Sequence, residues 1–578
     1  MQKYIFFSIA AVIILVFTAA IPVASNIKPY TIMIYMNGSD LESDFGLATS
    51  DLAEMLDSGI QSQNANVIIL TGGTNRWLND AIPETECIIW QLSDGWINEI
   101  KSMGKVNMGN PATLRDFIKF SMAQYPAEKY GLIMWDHGGG SIAGFGHDEK
   151  FNDDALTLLD MKQAFEEAGL RKQKLEFLGF DACLMATVEM AVLASDFAQV
   201  LIASEDLEPG EGWDYNFLSV LNDTPQMDGF ALGKVIVDTF IDFFGQDSDE
   251  ILALSVVDLA KVKPVMDAMG SLMEKASAKI PSRGFHRLAE RRAVTKTFGE
   301  GSPRDNYADM VDIGDMAIML QDFFPQESEA VLQALKNCVV YNRHNSYVDL
   351  WGLSTFYIYG GKSQGEYSLK TYAALGMDES YTQYLHKFFE GLQRRGNSPV
   401  IRKELALLQP VSENIYRTVG LLQTDISDDY LWPKLNGHPV VLFPISTTAN
   451  ARIYAIPAQV NNREANIIVS FSCRHPQGKI FGSRKVENVF QKGHDPILAG
   501  DKIAFYYPEW NVLDNTEIWH KGETFTIKNS PHLAWEQAPA AYELWYRLTD
   551  ACGNSNTERL TPSSTTRPIG QLLARNLL

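Results

Sequence analysis

Short apolar segments alternate with amphipathic segments through the N-terminal half of the chain. Continuous apolar runs are typical of strands buried on both faces of a parallel sheet. They predict strands at residues 30–36, 66–70, 87–92, 130–137, 175–183 and 199–203. Apolar residues at helical spacing predict helices at 46–56, 111–122, 158–168 and 185–195. Strands alternating with helices predict an α/β fold, with a mostly parallel sheet flanked by helices.

The pattern changes twice further along the chain. Residues 228–338 are predicted to be mostly helical, and an apolar run at 351–359 is predicted to rejoin the sheet. Beyond residue 396, short β-rich segments separated by turn residues predict a β-sandwich-like domain. These segments are residues 440–444, 452–457, 466–471, 502–507, 524–527 and 542–548. Because 578 residues exceed what one core usually holds, two units are predicted, at 28–395 and 396–578.

The N-terminus has the pattern of an export signal. Lys3 precedes an apolar stretch at 4–24, which Pro22 interrupts and small residues end. A positive charge, an apolar region and small residues in this order predict a signal peptide at 1–25. The stretch is long for a signal peptide, so an uncleaved membrane anchor is the alternative. The protein is therefore expected to be secreted or located in the cell envelope, with no other membrane contact.

Charge and cysteine content exclude several classes of protein. A formal net charge of -22 argues against a nucleic-acid partner. The five cysteines are too few, in a chain of this length, for a disulfide framework, and an odd number leaves at least one thiol free. The chain has no Cys-x-x-Cys and no close Cys/His group, so neither a zinc site nor a required cofactor is expected.

Two predicted strands end in residues that can carry out covalent catalysis. His137 ends one and Cys183 ends another, and carboxyl ends of parallel strands form the ligand-binding edge of such sheets. A thiol and an imidazole at this edge could act as nucleophile and general base. A helix is predicted to follow Cys183, and its N-terminal dipole would favour the thiolate.

The residues around this pair suggest how a substrate would be held. Three glycines at 138–140 allow close approach of the backbone to a ligand. The N–H groups of Gly138 and Cys183 could form an oxyanion hole for a tetrahedral intermediate. Asp181 precedes Cys183 by two positions and therefore shares its face of the strand, which suggests a cationic substrate group.

Two motifs resemble those of the clostripain-like cysteine peptidases, relatives of caspases, legumains and gingipains. They are Trp-Asp-His-Gly-Gly-Gly at 135–140 and Phe-Asp-Ala-Cys-Leu-Met at 180–185. The resemblance covers residues 28–395, with further matching segments at 126–130, 203–213, 309–315 and 352–354. It implies a caspase-like sheet, with Cys183 as the nucleophile and His137 as the general acid and base.

The family resemblance also implies cleavage of proteins or peptides after arginine or lysine, in a pocket lined by acidic residues. Asp181 matches the position of one such residue. Glu211 is a candidate for a second wall, although it could equally be a solvated loop residue, and Asp206 is a weaker candidate. The Trp213 ring could cover the aliphatic part of the pocket, or it could belong to the core.

The segment at 146–154, between the two motifs, is a candidate for maturation by self-cleavage. Relatives are often cut in this region, and Lys150 is its early basic residue on a predicted exposed loop. Asp148, Glu149, Asp153 and Asp154 in the same loop could bind calcium, although their spacing does not match an EF-hand.

Two other functions are compatible with the sequence. His-Gly-Gly-Gly also occurs in lipase oxyanion holes, and residues 361–365 match Gly-x-Ser-x-Gly. A serine hydrolase would therefore use Ser363, with His386 as a base that follows closely in sequence. Alternatively, the chain could be a non-catalytic exported binding or adhesion protein. For a cysteine peptidase, the C-terminal β domain is expected to be an accessory module for substrate or surface binding.

Overall fold

The structure is a computed structural model that describes residues 27–280, 284–300, 308–360, 364–393, 404–412, 415–422, 431–486, 492–511, 516–537, 543–549 and 555–560. The predicted signal peptide at 1–25 and the candidate nucleophile Ser363 lie outside these ranges. Among the residues described, no helix has the length and apolar character needed to span a membrane.

Strands and helices alternate through the N-terminal region, as the sequence predicts. The strands are β1 (Lys28–Asn37), β2 (Ala65–Gly72), β3 (Cys87–Ser93), β4 (Trp96–Gly104), β5 (Ala127–Trp135), β6 (Phe145–Asp148), β7 (Asp154–Leu156), β8 (Leu175–Asp181), β9 (Ala198–Ala203), β10 (Ala253–Asp258), β11 (Thr297–Phe298), β12 (Met310–Asp312), β13 (Val339–His344) and β14 (Ser354–Phe356). The helices are α1 (Ser39–Ser43), α2 (Leu47–Asp57), α3 (Pro111–Gln124), α4 (Gly140–Ala143), α5 (Leu158–Ala168), α6 (Val188–Ala194), α7 (Val220–Asp223), α8 (Gly229–Phe244), α9 (Val262–Ser277), α10 (Phe285–Val294), α11 (Ile313–Leu320), α12 (Pro325–Cys338), α13 (Gly365–Ala374) and α14 (Glu379–Gln393).

The main sheet of the described residues has the strand order β13-β10-β9-β8-β5-β1-β2-β3-β4. Its five central strands, from β9 to β2, pair in parallel, and the strands outside them pair antiparallel. Both faces are covered, so neighbouring residues of one strand enter different cores: Ile133 packs in one apolar cluster, and Leu132 and Met134 pack in the other. Burial on both faces explains why the central strands are continuously apolar. The predicted α/β fold is confirmed.

The predicted strand at 351–359 is wrong in extent and in partner. Only β14 forms there, and it pairs with β12 in a separate three-stranded sheet. The edge of the main sheet is instead β13, antiparallel to β10. The apolar run at this position reflects burial. Strands of the main sheet and of the small sheet are both buried, so the sequence pattern does not identify the sheet that a strand joins. The sequence also missed β4, an edge strand with mostly exposed side chains.

The C-terminal region is β-rich, as predicted. Its strands are β15 (Glu404–Ser412), β16 (Ile415–Leu422), β17 (Leu431–Leu435), β18 (His438–Pro439), β19 (Phe443–Thr447), β20 (Ala451–Val460), β21 (Arg463–Ser472), β22 (Lys479–Lys485), β23 (Lys502–Asn511), β24 (Thr516–Lys521), β25 (Phe525–Thr526), β26 (Leu533–Gln537), β27 (Glu543–Thr549) and β28 (Ser555–Leu560). They form a large antiparallel sheet and a small sheet, β18-β17-β26.

The C-terminal region packs directly against the N-terminal region. Ile445, Ile453 and Ile468 form an apolar cluster that Ile251, from the loop before β10, also joins. Backbone hydrogen bonds add to this contact. One of them is donated by the Ala449 N–H to the Asn345 carbonyl, at 2.7 Å. The β-rich region is therefore in contact with the main α/β region rather than separated from it.

Candidate active site

His137 and Cys183 lie side by side at one edge of the main sheet. Strands β5 and β8 are parallel neighbours, and their last residues, Trp135 and Asp181, are paired in register. Each candidate residue lies two positions beyond its strand, so both reach the same level of the same edge. His137 is 1% exposed and Cys183 is fully buried. The topology therefore brings the two residues together where parallel sheets bind ligands.

The imidazole of His137 is held at both ring nitrogens. Its Nε2 lies 2.8 Å from Asp40 Oδ1, and its Nδ1 accepts a hydrogen bond of 2.8 Å from the backbone N–H of Lys492. Since Nδ1 accepts an N–H and a carboxylate can only accept, the ring proton lies on Nε2. Burial would raise the pKa of Asp40, but His137 and then Lys485 lower it well below its usual range. Asp40 therefore orients the imidazole as a carboxylate.

Asp136 fixes the loop that carries His137. Its carboxylate accepts hydrogen bonds from the side chains of Asn37 and Ser39, at 2.6 and 2.7 Å. It also accepts hydrogen bonds from the backbone N–H groups of His137 and His147, at 2.6 and 2.9 Å. These four bonds fasten the loop after β5 to the end of β1 and the start of α1, which also supplies Asp40.

The thiol of Cys183 is protonated in this conformation. Burial, followed by the charge of Glu208, raises the pKa of the Cys183 thiol to about 12. The backbone N–H of Glu208 approaches Cys183 Sγ at 3.1 Å. Helix α6 begins only at Val188, after an N-cap at Thr187. The predicted helix therefore exists, but it starts five residues after Cys183 rather than beside it.

The backbone around the thiol fits the predicted oxyanion hole. A Cβ atom at Gly138 would lie 1.9 Å from the Cys183 carbonyl oxygen, so only glycine fits this approach. In the described part of the chain, neither the Gly138 N–H nor the Cys183 N–H donates a hydrogen bond to another residue. The oxyanion hole that these two groups would form stays a prediction.

A buried acidic pocket lies beside Cys183. The Lys492 ammonium forms an ion pair with Asp181, and it lies 3.8 Å from Glu208 Oε2. The Tyr215 hydroxyl donates a hydrogen bond of 3.1 Å to Asp181. A Cβ atom at Gly212 would lie 2.4 Å from both Asp181 Oδ1 and Lys492 Nζ, so this glycine leaves the space that the ammonium occupies. All three charged side chains are fully buried.

The pocket depends on a cation because several carboxyl groups are buried within it. Burial raises the pKa of Glu208 well above its ordinary value, against the lowering effect of Lys492. Burial lowers the pKa of Lys492, but Asp181 and Glu208 together raise it above its ordinary value. Asp51 lies close enough for its pKa to be raised by burial and then by Asp181. An ammonium in this pocket is therefore charged, and its charge is compensated by the pocket.

The structure corrects the predicted second wall of the pocket. Glu211 is exposed, and Asp206 instead lies 3.5 Å from the ammonium of Lys296. Glu208, from the same loop, is the second acidic residue next to the Lys492 ammonium. Trp213 is 1% exposed and its ring packs against Gly179 within the core, while its backbone N–H donates a hydrogen bond of 3.3 Å to Asp181. Its burial agrees with a position in the core, which was the alternative interpretation.

Three residues of this site were missed from the sequence. Asp40 follows the buried strand β1, and Glu208 follows β9, so the rule that identified His137 and Cys183 could have identified both. Lys492 carries no such signal, because it comes from the β-rich region more than 300 positions after Cys183 in the sequence.

The predicted processing loop is more ordered than expected. Strands β6 and β7 form a hairpin, and a 3₁₀ turn at Glu149–Phe151 places Lys150 in a half-buried position. The Lys150 ammonium donates a hydrogen bond to the Glu84 carbonyl. The prediction of an exposed, open loop is therefore wrong, whereas cleavage after Lys150 stays a prediction.

The acidic side chains of this hairpin already have protein donors. Asp148 accepts hydrogen bonds from the Met108 and Lys150 N–H groups, at 2.8 and 2.9 Å. Glu149 accepts one from the Asn75 N–H at 2.7 Å, and Asp154 accepts one from Asn107. Asp153 lies at the tip, in a left-handed conformation. Calcium binding by these four residues stays a prediction.

Asp40, His137 and His147 form a group with metal-binding chemistry, and their ligand atoms lie within 4.8 Å of one another. However, Asp40 is already bonded to His137 and Lys485. The candidate base of the serine-hydrolase alternative, His386, is exposed on α14, and Ser363 is outside the described residues. Of the two candidate nucleophiles, Cys183 is therefore the one whose surroundings the structure describes.

Comparison with known proteins gives a consistent result for the α/β region. The sequence profile of the clostripain family matches residues 34–389. Clostripain from Hathewaya histolytica is 29% identical over 220 residues, which are 32% of this chain and 40% of that protein. The chain thus matches less than half the length of this relative.

Solved structures were also found. A secreted C11 cysteine protease from Bacteroides thetaiotaomicron, in complex with an irreversible peptide inhibitor, is 15% identical with a TM-score of 0.47, and covers 60% of this chain and 98% of its own. An inactive zymogen C11 protease from Parabacteroides distasonis is 19% identical, with the same TM-score of 0.47 and the same coverage of 60% and 98%.

Proposed function

The chain belongs to the clostripain family of cysteine peptidases, and we propose that it is an exported endopeptidase that cleaves after lysine or arginine. One observation carries this specificity. A lysine side chain of the protein itself lies fully buried beside Cys183, with its ammonium on Asp181 and near Glu208. The pocket thus has the depth and the charge needed to hold a basic side chain.

Electrostatics explains why other side chains would be rejected. A neutral side chain would leave Asp181 buried without a counter-charge, which costs several kcal/mol in a site of this kind. An acidic side chain would add repulsion to that cost. A guanidinium would satisfy the same carboxylates with two or more N–H groups. The proposed preference is therefore for both lysine and arginine over all uncharged residues.

We propose a role for each group in the reaction. His137 Nδ1, the ring nitrogen that Asp40 does not contact, would take the thiol proton of Cys183 as Sγ attacks the scissile carbonyl. Asp40 stabilises the imidazolium that results and keeps the ring oriented. The Gly138 and Cys183 N–H groups would stabilise the oxyanion. His137 then protonates the leaving amine, and water attacks the thioester to release the second product.

Export and maturation are further parts of the proposal. The signal-like N-terminus supports secretion or attachment to the cell envelope. We also propose self-cleavage after Lys150, which would have to follow local opening of the β6–β7 hairpin. If this is right, wild-type protein will yield two fragments at this site and the Cys183→Ala protein will stay intact.

Fluorogenic peptides ending in Arg, Lys, Leu or Asp test the proposed activity. We expect cleavage of the Arg and Lys peptides only, with complete loss in Cys183→Ala. Cys473→Ala is a matched control, because Cys473 is an exposed cysteine of the β-rich region. Activity that survives in Cys183→Ala would move the nucleophile elsewhere. Repeating the assay with EDTA and with added calcium tests the calcium prediction.

A further inference from the structure

Lys492 fills the pocket that a substrate lysine would need. It belongs to a segment of the β-rich region, Lys492 to Asp495, which we call the pocket segment. The Lys492 side chain is 0% exposed, and its ammonium pairs with Asp181, also 0% exposed. Two cations cannot occupy the same buried carboxylate pair, so an external basic residue can bind only after Lys492 has left.

The pose of Lys492 differs from that of a substrate about to be cleaved. Cleavage after Lys492 would require His137 to protonate the nitrogen of Gly493, the leaving amine. Instead, His137 Nδ1 accepts the N–H of Lys492 itself. Sγ of Cys183 is simultaneously approached by the Glu208 N–H, and burial keeps the thiol protonated. The segment therefore engages the catalytic groups without placing its own peptide bond for cleavage.

Contacts on both sides hold the pocket segment in place. Asp495 exchanges two backbone hydrogen bonds with Ser483 of β22, both of 2.7 Å. Gly493 packs so closely on Gly210 that a Cβ atom at Gly493 would lie 2.8 Å from the Gly210 Cα. The ammonium of Lys485, also on β22, pairs with Asp40, the partner of His137. The β-rich region thus reaches both the pocket and the catalytic imidazole.

We propose that Lys492 is an internal inhibitor that keeps the peptidase latent until the pocket segment is displaced. This inference rests on the proposed function, because it assumes that the Asp181 pocket binds substrate. Basic substrates and Lys492 then compete for one site, so activity measures the fraction of molecules in which the pocket is open. The β-rich region is, on this account, a regulatory element rather than only an accessory module.

The test compares full-length wild type with Lys492→Ala and Lys492→Arg. We expect Lys492→Ala to raise kcat/KM for Arg and Lys peptides at least about tenfold, because its pocket no longer has an internal cation. Lys492→Arg preserves the charge and should stay close to wild type. Lys528→Ala, which changes an exposed lysine of the same region, should also match wild type.

A second readout, alkylation of Cys183 by iodoacetamide, does not depend on turnover. Cys183 should react faster in Lys492→Ala than in wild type, whereas the exposed Cys473 should react equally in both. Cys87 and Cys338 are buried and report on unfolding, since they would become reactive only if the variant lost its structure.

The two readouts separate the possible failures. Equal cleavage of basic peptides by wild type and Lys492→Ala, with equal Cys183 alkylation, would overturn latency and leave the proposed function intact. Faster alkylation without cleavage of any peptide would support the block by Lys492 and contradict the proposed function. If Cys87 and Cys338 also become reactive, Lys492→Ala has lost its structure and the Lys492→Arg protein is used instead. The proposal predicts that Cys183 of Lys492→Arg is alkylated as slowly as Cys183 of wild type. Faster alkylation of Cys183 in Lys492→Arg would contradict the proposal.

Discussion

Two of the cation–carboxylate contacts between the β-rich region and the peptidase region differ sharply in their surroundings. Lys492 meets Asp181 in a site where both side chains are 0% exposed. Arg474 meets Asp247 at 2.6 Å, but these side chains are 61% and 67% exposed. An exposed pair of this kind contributes about 0 to 1 kcal/mol, whereas breaking a buried pair leaves a charge without compensation. Burial, rather than the presence of a salt bridge, therefore identifies the contact that controls the site.

The largest effect is expected when the carboxylate of the buried contact is removed. In the Lys492→Ala protein, Asp181→Asn should lower kcat/KM for Lys and Arg peptides at least about 100-fold, because the substrate cation loses its main counter-charge. The rate at which iodoacetamide alkylates Cys183 should not change. Steady-state assays with the Lys and Arg peptides, together with the alkylation assay, measure this difference. A parallel fall in the alkylation rate would show that Asp181 supports the catalytic groups rather than specificity.

Asp40, which Lys485 links to the β-rich region, should have the next largest effect. Asp40→Asn in the Lys492→Ala protein should lower kcat at least about tenfold, with little change in KM, because the imidazole loses the group that orients it. Asp44→Asn is the control, since Asp44 is an exposed neighbour of the same lysine. A change in KM alone would contradict the positioning role of Asp40.

The pKa of Asp40 also predicts a pH dependence of stability. Because the pKa is lowered in the folded protein, Asp40 stabilises the fold above the ordinary aspartate pKa of about 3.9. That contribution declines as the pH falls through this value towards the folded pKa. The difference in thermal midpoint between wild type and Asp40→Asn should therefore narrow between pH 6 and pH 3. A difference that stays constant would contradict the lowered pKa.

A smaller effect distinguishes Glu208, which lies next to the Lys492 ammonium, from Glu211, which the sequence suggested as the second wall of the pocket. Glu208→Gln should raise KM for Lys peptides a few-fold in the Lys492→Ala protein, since Glu208 lies 3.8 Å from the ammonium. Glu211→Gln should have no effect, because Glu211 is exposed. Measured KM values that reverse this order would restore the sequence-based assignment.

The smallest effect is expected at the exposed contact. Arg474→Ala should leave both peptide cleavage and Cys183 alkylation unchanged in the full-length protein. Activation by Arg474→Ala comparable to that by Lys492→Ala would show that docking of the whole region, rather than occupation of the pocket, maintains latency.

Much of the α/β region was predictable because its information is local. The continuous apolar runs that end at Trp135 and Asp181 predict buried parallel strands, and the carboxyl-end rule places His137 and Cys183 together. The motifs around these residues also identified the family correctly. The run around Ser354 was misassigned because apolar character indicates burial and does not identify a sheet partner.

The pocket was predicted less well because its parts come from separate loops. Asp181 lies next to Cys183 in sequence and was found by strand periodicity, whereas Glu208 and Glu211 differ only in the direction that a loop gives them. Lys492 could not be found at all, since its contact with Asp181 exists only after two regions have docked. Charge complementarity over such a separation leaves no periodic or local signal.

The most direct test of the account uses a peptidyl-lysine chloromethyl ketone, which reacts with a nucleophile only after its lysine has entered the pocket. We predict that it modifies Cys183 in Lys492→Ala much faster than in wild type, and that the corresponding leucine reagent does not discriminate between the two proteins. Peptide mass spectrometry locates the adduct. An adduct on another residue, or equal rates for wild type and Lys492→Ala with the lysine reagent, would contradict the central claim.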